Sequence, residues 1–114
     1  MLLAFVAFLV VFRKYKKRFR LDGIVQVHHI IPKQHKSHPT LKFAKYDVDD
    51  PKNLMFLPIH TSSLNTNRLL HDGGHIKYNA YVLSELKKPN VDPYTLCRQL
   101  KYRIRTADET LPWK

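Results

Sequence analysis

The sequence predicts a small α+β protein, and three observations carry that prediction. Two short apolar runs, Ile24 to Ile31 and Asn53 to Leu57, are each closed by a proline, Pro32 and Pro58, as strands are. Ile76, Ala80, Leu83 and Leu86 or Lys87 recur at three to four residues, which predicts a helix from about His75 to Lys87. Asp92-Pro93 then caps and opens a last, basic helix to about Arg105. A length of 114 residues leaves room for one small core and an appendage. A hydrophobic content of 44% excludes wholesale disorder.

The appendage comes first. Met1 to Phe12 is apolar at every position, and residues 13 to 20 read Arg-Lys-Tyr-Lys-Lys-Arg-Phe-Arg. Twelve helical residues reach about 18 Å, short of a hydrocarbon core of about 30 Å. No positive segment precedes the run and no small-residue cleavage site follows it, so a secretory signal is disfavoured. An uncleaved N-terminal apolar helix fits better, either anchored in a membrane or dipping into one leaflet with its basic flank on lipid phosphates. The alternative is a segment buried in a larger assembly. A spanning segment with this flank would leave the body on the cytoplasmic side; in the assembly reading the protein is virion-associated, for example. The expected organisation is an anchor-like segment over 1–20, a central domain over 21–88 and a basic helix and tail over 89–114.

Inside the body, Leu21-Asp22-Gly23 is a turn before the first strand. Ser37 or His38 before Pro39 starts a short helix through about Tyr46. Asp47 to Pro51 is turn chemistry, residues 60–74 form a polar loop, and Gly73-Gly74 releases the chain into the next helix. The residues after Arg105 look frayed.

Charge sharpens the choice of partners. The formal net charge is +11, from 20 Lys and Arg against 9 Asp and Glu. Polyanions are the first candidates, either nucleic acid or anionic lipid. Six of the positive residues, Arg13, Lys14, Lys16, Lys17, Arg18 and Arg20, lie beside the apolar run, so the body itself is only mildly basic. Lys33, Lys36, Lys42, Lys45 and Lys52 form either a phosphate track or a solvated face. The single cysteine, Cys97, excludes an intramolecular disulfide framework and a Cys-based zinc cluster; it reads as a core residue.

All seven histidines fall between His28 and His75, and that clustering is the most informative feature of the chain. His28 and His29 end the first strand, where neighbouring side chains point to opposite faces. His71, His75 and Asn79 are spaced by four, and His75 with Asn79 would share a helix face. Imidazole suits zinc, nickel, manganese or iron, and an amide oxygen adds a donor magnesium also accepts. A divalent ion can polarise a phosphate oxygen, while a second imidazole, of ordinary pKa about 6.5, accepts a proton from water. One ion and one histidine base suffice to cut a phosphodiester. His35, His38 and His60 read as surface or loop residues, with His60 a fallback ligand. Tyr78 and Tyr81 read as core or phosphate-contacting residues.

Three blocks in order carry a family resemblance: Val27-His28-His29-Ile30-Ile31-Pro32-Lys33, Asp49-Asp50-Pro51-Lys52-Asn53-Leu54-Met55-Phe56-Leu57-Pro58, and His71-Asp72-Gly73-Gly74-His75-Ile76-Lys77-Tyr78-Asn79. Over about residues 24 to 86 the chain resembles the HNH nuclease superfamily, nearest its AHH-type branch, with Val27 where Ala or Gly is usual. The resemblance implies a ββα-metal core around one divalent ion (Mg, Mn, Zn or Ni) and phosphodiester hydrolysis of DNA. It implies His28 as a strand ligand, His29 as the general base, Asn53 as the residue bracing the loop and orienting the base, and His75 as a helix ligand. His71 or Asn79 would complete the sphere. Lys33 and the basic run of residues 13 to 20 would contact nucleic acid or lipid. A fold can outlive its activity, so the competing reading is a membrane-associated structural protein, for example of a virion, that keeps an HNH-like body. A toxin-like nuclease module with a translocation segment is a third.

Overall fold

The computed structural model describes residues 25–59, 69 and 75–113. The anchor-like segment, its basic run, the turn at Leu21 to Gly23, His60, His71 and Gly73-Gly74 lie outside the described residues. Among those described, no helix is long and apolar enough to cross a membrane.

Two antiparallel strands, β1 (Val25–His29) and β2 (Leu54–Pro58), pair from Val25 opposite Pro58 to His29 opposite Leu54. Both predicted strands occur within the apolar runs; β2 ends at Pro58 as expected, but β1 stops at His29, short of Ile31 and Pro32, where the Ile31 N–H turns to the Asn53 side chain. Three helices follow from the same chain: α1 (Pro39–Phe43), α2 (Ile76–Leu86) and α3 (Pro93–Arg105). Short 3-10 turns at Lys33–His35 and Pro51–Asn53 complete the described elements. One core gathers Ile30, Ile31, Leu41, Leu57, Tyr78, Val82, Leu100 and Ile104, so sheet and helices share a single apolar centre.

Helix starts follow the sequence closely. His38 is the N-cap of α1, its Nδ1 accepting the Thr40 N–H at 3.1 Å, and Pro39 fills the first helical position. Asp92 caps α3 through the Tyr94 N–H at 3.2 Å and the Thr95 hydroxyl at 2.7 Å.

Helix ends do not. α1 stops at Phe43 rather than near Tyr46, because Lys45 takes a positive φ of 53° and the Tyr46 N–H turns back to the Leu41 carbonyl at 2.9 Å. That closure normally announces itself with Gly or Asn, and here a lysine adopts it. α2 exists as expected but buries another face: Tyr78, Val82 and Leu86 point inward, while Ile76 is 80% exposed. The aliphatic periodicity counted Ile76 and left out Tyr78, although Tyr78 taken singly reads as a core or phosphate-contacting residue.

The frayed end is also corrected. Ala107 adopts φ 52°, and the Asp108 N–H reaches the Arg103 carbonyl at 2.9 Å, which turns the chain back after α3. Leu111 then enters the core and Trp113 packs on residues of β1 and α2.

Candidate metal and phosphodiester site

The site grows from the end of β1. His28 is buried on the side of α2, and its ring lies 5.3 Å from that of Tyr78 and 5.2 Å from that of His75, centroid to centroid. His75 is the N-cap residue of α2, and its ring meets that of His28 edge-on. Residues 47 apart in sequence are thereby joined, because β1 and the first turn of α2 pack on one core.

The spacing of the two imidazoles is compatible with one shared divalent ion. With metal–nitrogen bonds of about 2.0 Å, two rings on a tetrahedral ion have centroids roughly 5 Å apart, and the rings here stand 5.2 Å apart and steeply inclined at 75°. His28 Nε2 and both ring nitrogens of His75 are out of contact with solvent. Among the described residues no group of three or more His, Cys, Asp or Glu comes together, so these provide two such donors. Of the two candidates for a third, His71 is outside the described residues. Asn79 lies one turn into α2, with its side-chain amide donating to Gln34 Oε1 at 3.4 Å.

His29 faces a different partner. Its Nε2 lies 3.0 Å from Asp49 Oδ1, with both side chains about a quarter exposed. An ionised carboxylate only accepts, so in this pair Nε2 is the donor. Asp49 was legible only as one of three crowded acids in a turn. Its signal was its place four residues before Asn53, a distance that means nothing until the turn is folded.

Asn53 holds these parts in register. It is fully buried, and Nδ2 donates to the Ile31 and Val48 carbonyls at 3.0 and 2.7 Å. Oδ1 accepts from the Ile31 N–H at 2.9 Å and the Tyr46 hydroxyl at 2.7 Å. One amide therefore ties the chain two residues after His29 to the chain one residue before Asp49. Asn53 itself makes its bonds to structure and not to either histidine ring.

The remaining candidates separate cleanly. His35, expected as a surface or loop residue, lies in the Lys33–His35 turn but is buried, and it donates from Nε2 to the Asn79 carbonyl at 2.8 Å, locking that turn to α2. Lys33 sits exposed at the start of that turn. Tyr78 is a core residue whose hydroxyl donates to the Ile30 carbonyl, and burial pushes its phenol well above the usual range. Burial also raises the Cys97 thiol. Neither group is a base near neutral pH.

Trp113 is the residue that sequence reasoning missed. Its ring lies 4.6 Å from His75, 5.2 Å from His28 and 5.1 Å from Tyr78. A tryptophan close behind a helix C-terminus carries no local signal for such a position.

Comparison with known families agrees with the architecture. A model of the AHH family, described as a nuclease family of the HNH/ENDO VII superfamily with conserved AHH, matches residues 12–99. No curated protein and no solved structure matches the chain. At the family's Ala-His-His the chain carries Val27-His28-His29, with Val27 paired across the sheet to Phe56 and both histidines kept. The chain belongs to the AHH family, a nuclease family of the HNH/ENDO VII superfamily.

Proposed function

We propose that the protein is a divalent-metal-dependent endonuclease that hydrolyses phosphodiester bonds of DNA. The observation that carries this reading is the pairing of His28 with His75 beside a separate histidine, His29, held by a carboxylate. His28 and His75 would hold the ion, with His71 or Asn79 as a further ligand. When bound, a magnesium, manganese, zinc or nickel ion would supply positive charge to the scissile phosphate and the leaving 3′ oxygen.

The chain's own residues would do the rest. Asp49 keeps a proton on His29 Nε2, so Nδ1 accepts the proton of an attacking water. Asn53 keeps His29 and Asp49 in register through Ile31 and Val48. The N-terminus of α2, where His75 stands, would favour a phosphate through its helix dipole. Lys33 and the basic run from Arg13 to Arg20 would contribute phosphate contacts in the substrate or in lipid.

Plasmid nicking tests the reading. Protein with added magnesium, manganese, zinc or nickel should convert supercoiled to open circular DNA, and His29→Ala should lower the rate at least about 100-fold. A folded protein that leaves the plasmid intact with every one of these ions refutes it.

A second reading rests on one observation. Trp113 packs against both metal-candidate rings, as it would in a membrane-associated or virion-associated structural protein that keeps the fold and has lost the chemistry. In that case residues 1–20 would bind membrane or a larger assembly.

A further inference from the structure

The geometry points to a strap: residues 106–113 fold back from α3 to hold Trp113 over the His28–His75 pair, and the strap has to swing away before an ion and a substrate phosphate can reach both rings. The inference rests on the metal role proposed for that pair, and it turns the contact that favours a dead scaffold into a closed state of a live site.

Three features build it. The reversal at Ala107 aims the chain back toward the sheet, and its bonds from Ala107 N–H to Ile104 and from Asp108 N–H to Arg103 are backbone bonds that survive side-chain changes. A latch follows: Asp108 accepts from Arg103 Nε at 2.8 Å, and from the Thr110 hydroxyl and N–H at 2.7 and 2.9 Å. Arg103 also reaches the Thr110 hydroxyl at 3.2 Å and Tyr81 at 2.8 Å, so the latch is clamped to α2. Beyond it Leu111 is buried, and Trp113 delivers its ring to the two imidazoles.

The latch is polar and near the surface, while the indole packs on His28, His75 and Tyr78 and Leu111 sits in the core. Exposed ion pairs contribute modestly, so the cost of opening lies mainly in lifting Leu111 and Trp113 from their apolar contacts. A closed cover reduces the apparent affinity for the ion by the fraction of molecules that are open. Weakening the latch should therefore tighten ion binding.

Because Trp113 is the single tryptophan, its emission reports on the strap alone. The full chain, Asp108→Ala and Trp113→Ala are compared in two measurements. The first needs no metal: diethyl pyrocarbonate modification, mapped by mass spectrometry, gives the reaction rates of His28 and His75. Both should react at least about fivefold faster in Asp108→Ala and Trp113→Ala than in the unaltered chain, with His38 as the unchanged control. The second is zinc and manganese titration, by calorimetry for all three proteins and by tryptophan emission for the two that keep Trp113. Ion binding should red-shift Trp113 in the unaltered chain, and Asp108→Ala should bind about three- to tenfold tighter. Equal modification rates in all three proteins overturn the strap, as does ion binding with unchanged emission and equal affinity. Faster modification in the variants with no ion bound by any protein keeps the cover and instead refutes the metal reading of the pair.

Discussion

The two halves of the site are held by different physics. On one side, His29, Asp49 and Asn53 belong to a stretch of 25 residues fixed by directional hydrogen bonds, four of them through the buried Asn53 amide. On the other, His28, His75, Tyr78 and Trp113 come from β1, α2 and the segment after α3, and they meet mainly as packed rings. The first half is local and brittle: lose one amide and several buried groups lose partners. The second is long-range and adjustable, since ring packing tolerates displacement that hydrogen bonds do not. A site that must admit an ion and a phosphate needs the adjustable half on the ligand side and the rigid half around the base.

Asn53→Ala should break the rigid half most severely. It strands the Ile31 amide group, the Val48 carbonyl and the Tyr46 hydroxyl, and each unsatisfied buried group costs about 1–3 kcal/mol, so a loss of about 3–5 kcal/mol is expected in urea unfolding. A loss below about 1 kcal/mol would mean that water replaces the amide and that Asn53 is not the brace.

Asp49→Asn should separate positioning from folding. Stability stays within about 1 kcal/mol, because the pair is partly exposed. The turnover number for plasmid nicking should fall about 10- to 100-fold while ion affinity stays constant, as for residues that orient a reacting group. Equal losses in ion affinity and turnover would place Asp49 in the ion's sphere instead.

Tyr78→Phe probes the adjustable half. It removes the hydroxyl that donates to the Ile30 carbonyl and keeps the ring against His28, His75 and Trp113. A loss of about 1–2 kcal/mol with unchanged ion affinity is expected; a large fall in affinity would show that the hydroxyl sets the pair as well as the ring does.

The smallest effect belongs to the latch. Thr110, through its hydroxyl and N–H, and then Arg103 hold the Asp108 carboxyl down to about 2. A carboxyl lowered in the folded state stabilises it above the unfolded pKa, near 4, and that contribution disappears as pH falls through about 2. The stability difference between the unaltered chain and Asp108→Asn should accordingly be full at pH 5 and vanish toward pH 2. A difference that does not vary with pH would detach the latch from the ionised carboxylate.

What the sequence disclosed follows the same division. Both strands, the caps at His38 and Asp92, and the three blocks holding His28, His29, Asn53 and His75 were legible, because prolines, capping residues and short-range spacing act locally. The Asp49 contact required the turn before Asn53 to be folded. Trp113 required a reversal led by Ala107, a residue type that does not advertise a left-handed backbone. The inward face of α2 was misread at Ile76, which is exposed, while Tyr78, read as a core or phosphate-contacting residue, is buried. His35 gave no sign that its ring would be spent on the Asn79 carbonyl rather than on solvent.

The central claim, that His28 and His75 share one divalent ion while His29 does not bind it, can be met by a single titration. Zinc or manganese is titrated calorimetrically into the full chain and into His28→Ala, His75→Ala and His29→Ala, each checked for folding by circular dichroism. The account predicts one ion per chain, an affinity loss of at least about 100-fold in the first two variants, and near-unaltered binding in His29→Ala. Equal binding by all four proteins, or no binding by any folded one, would contradict it.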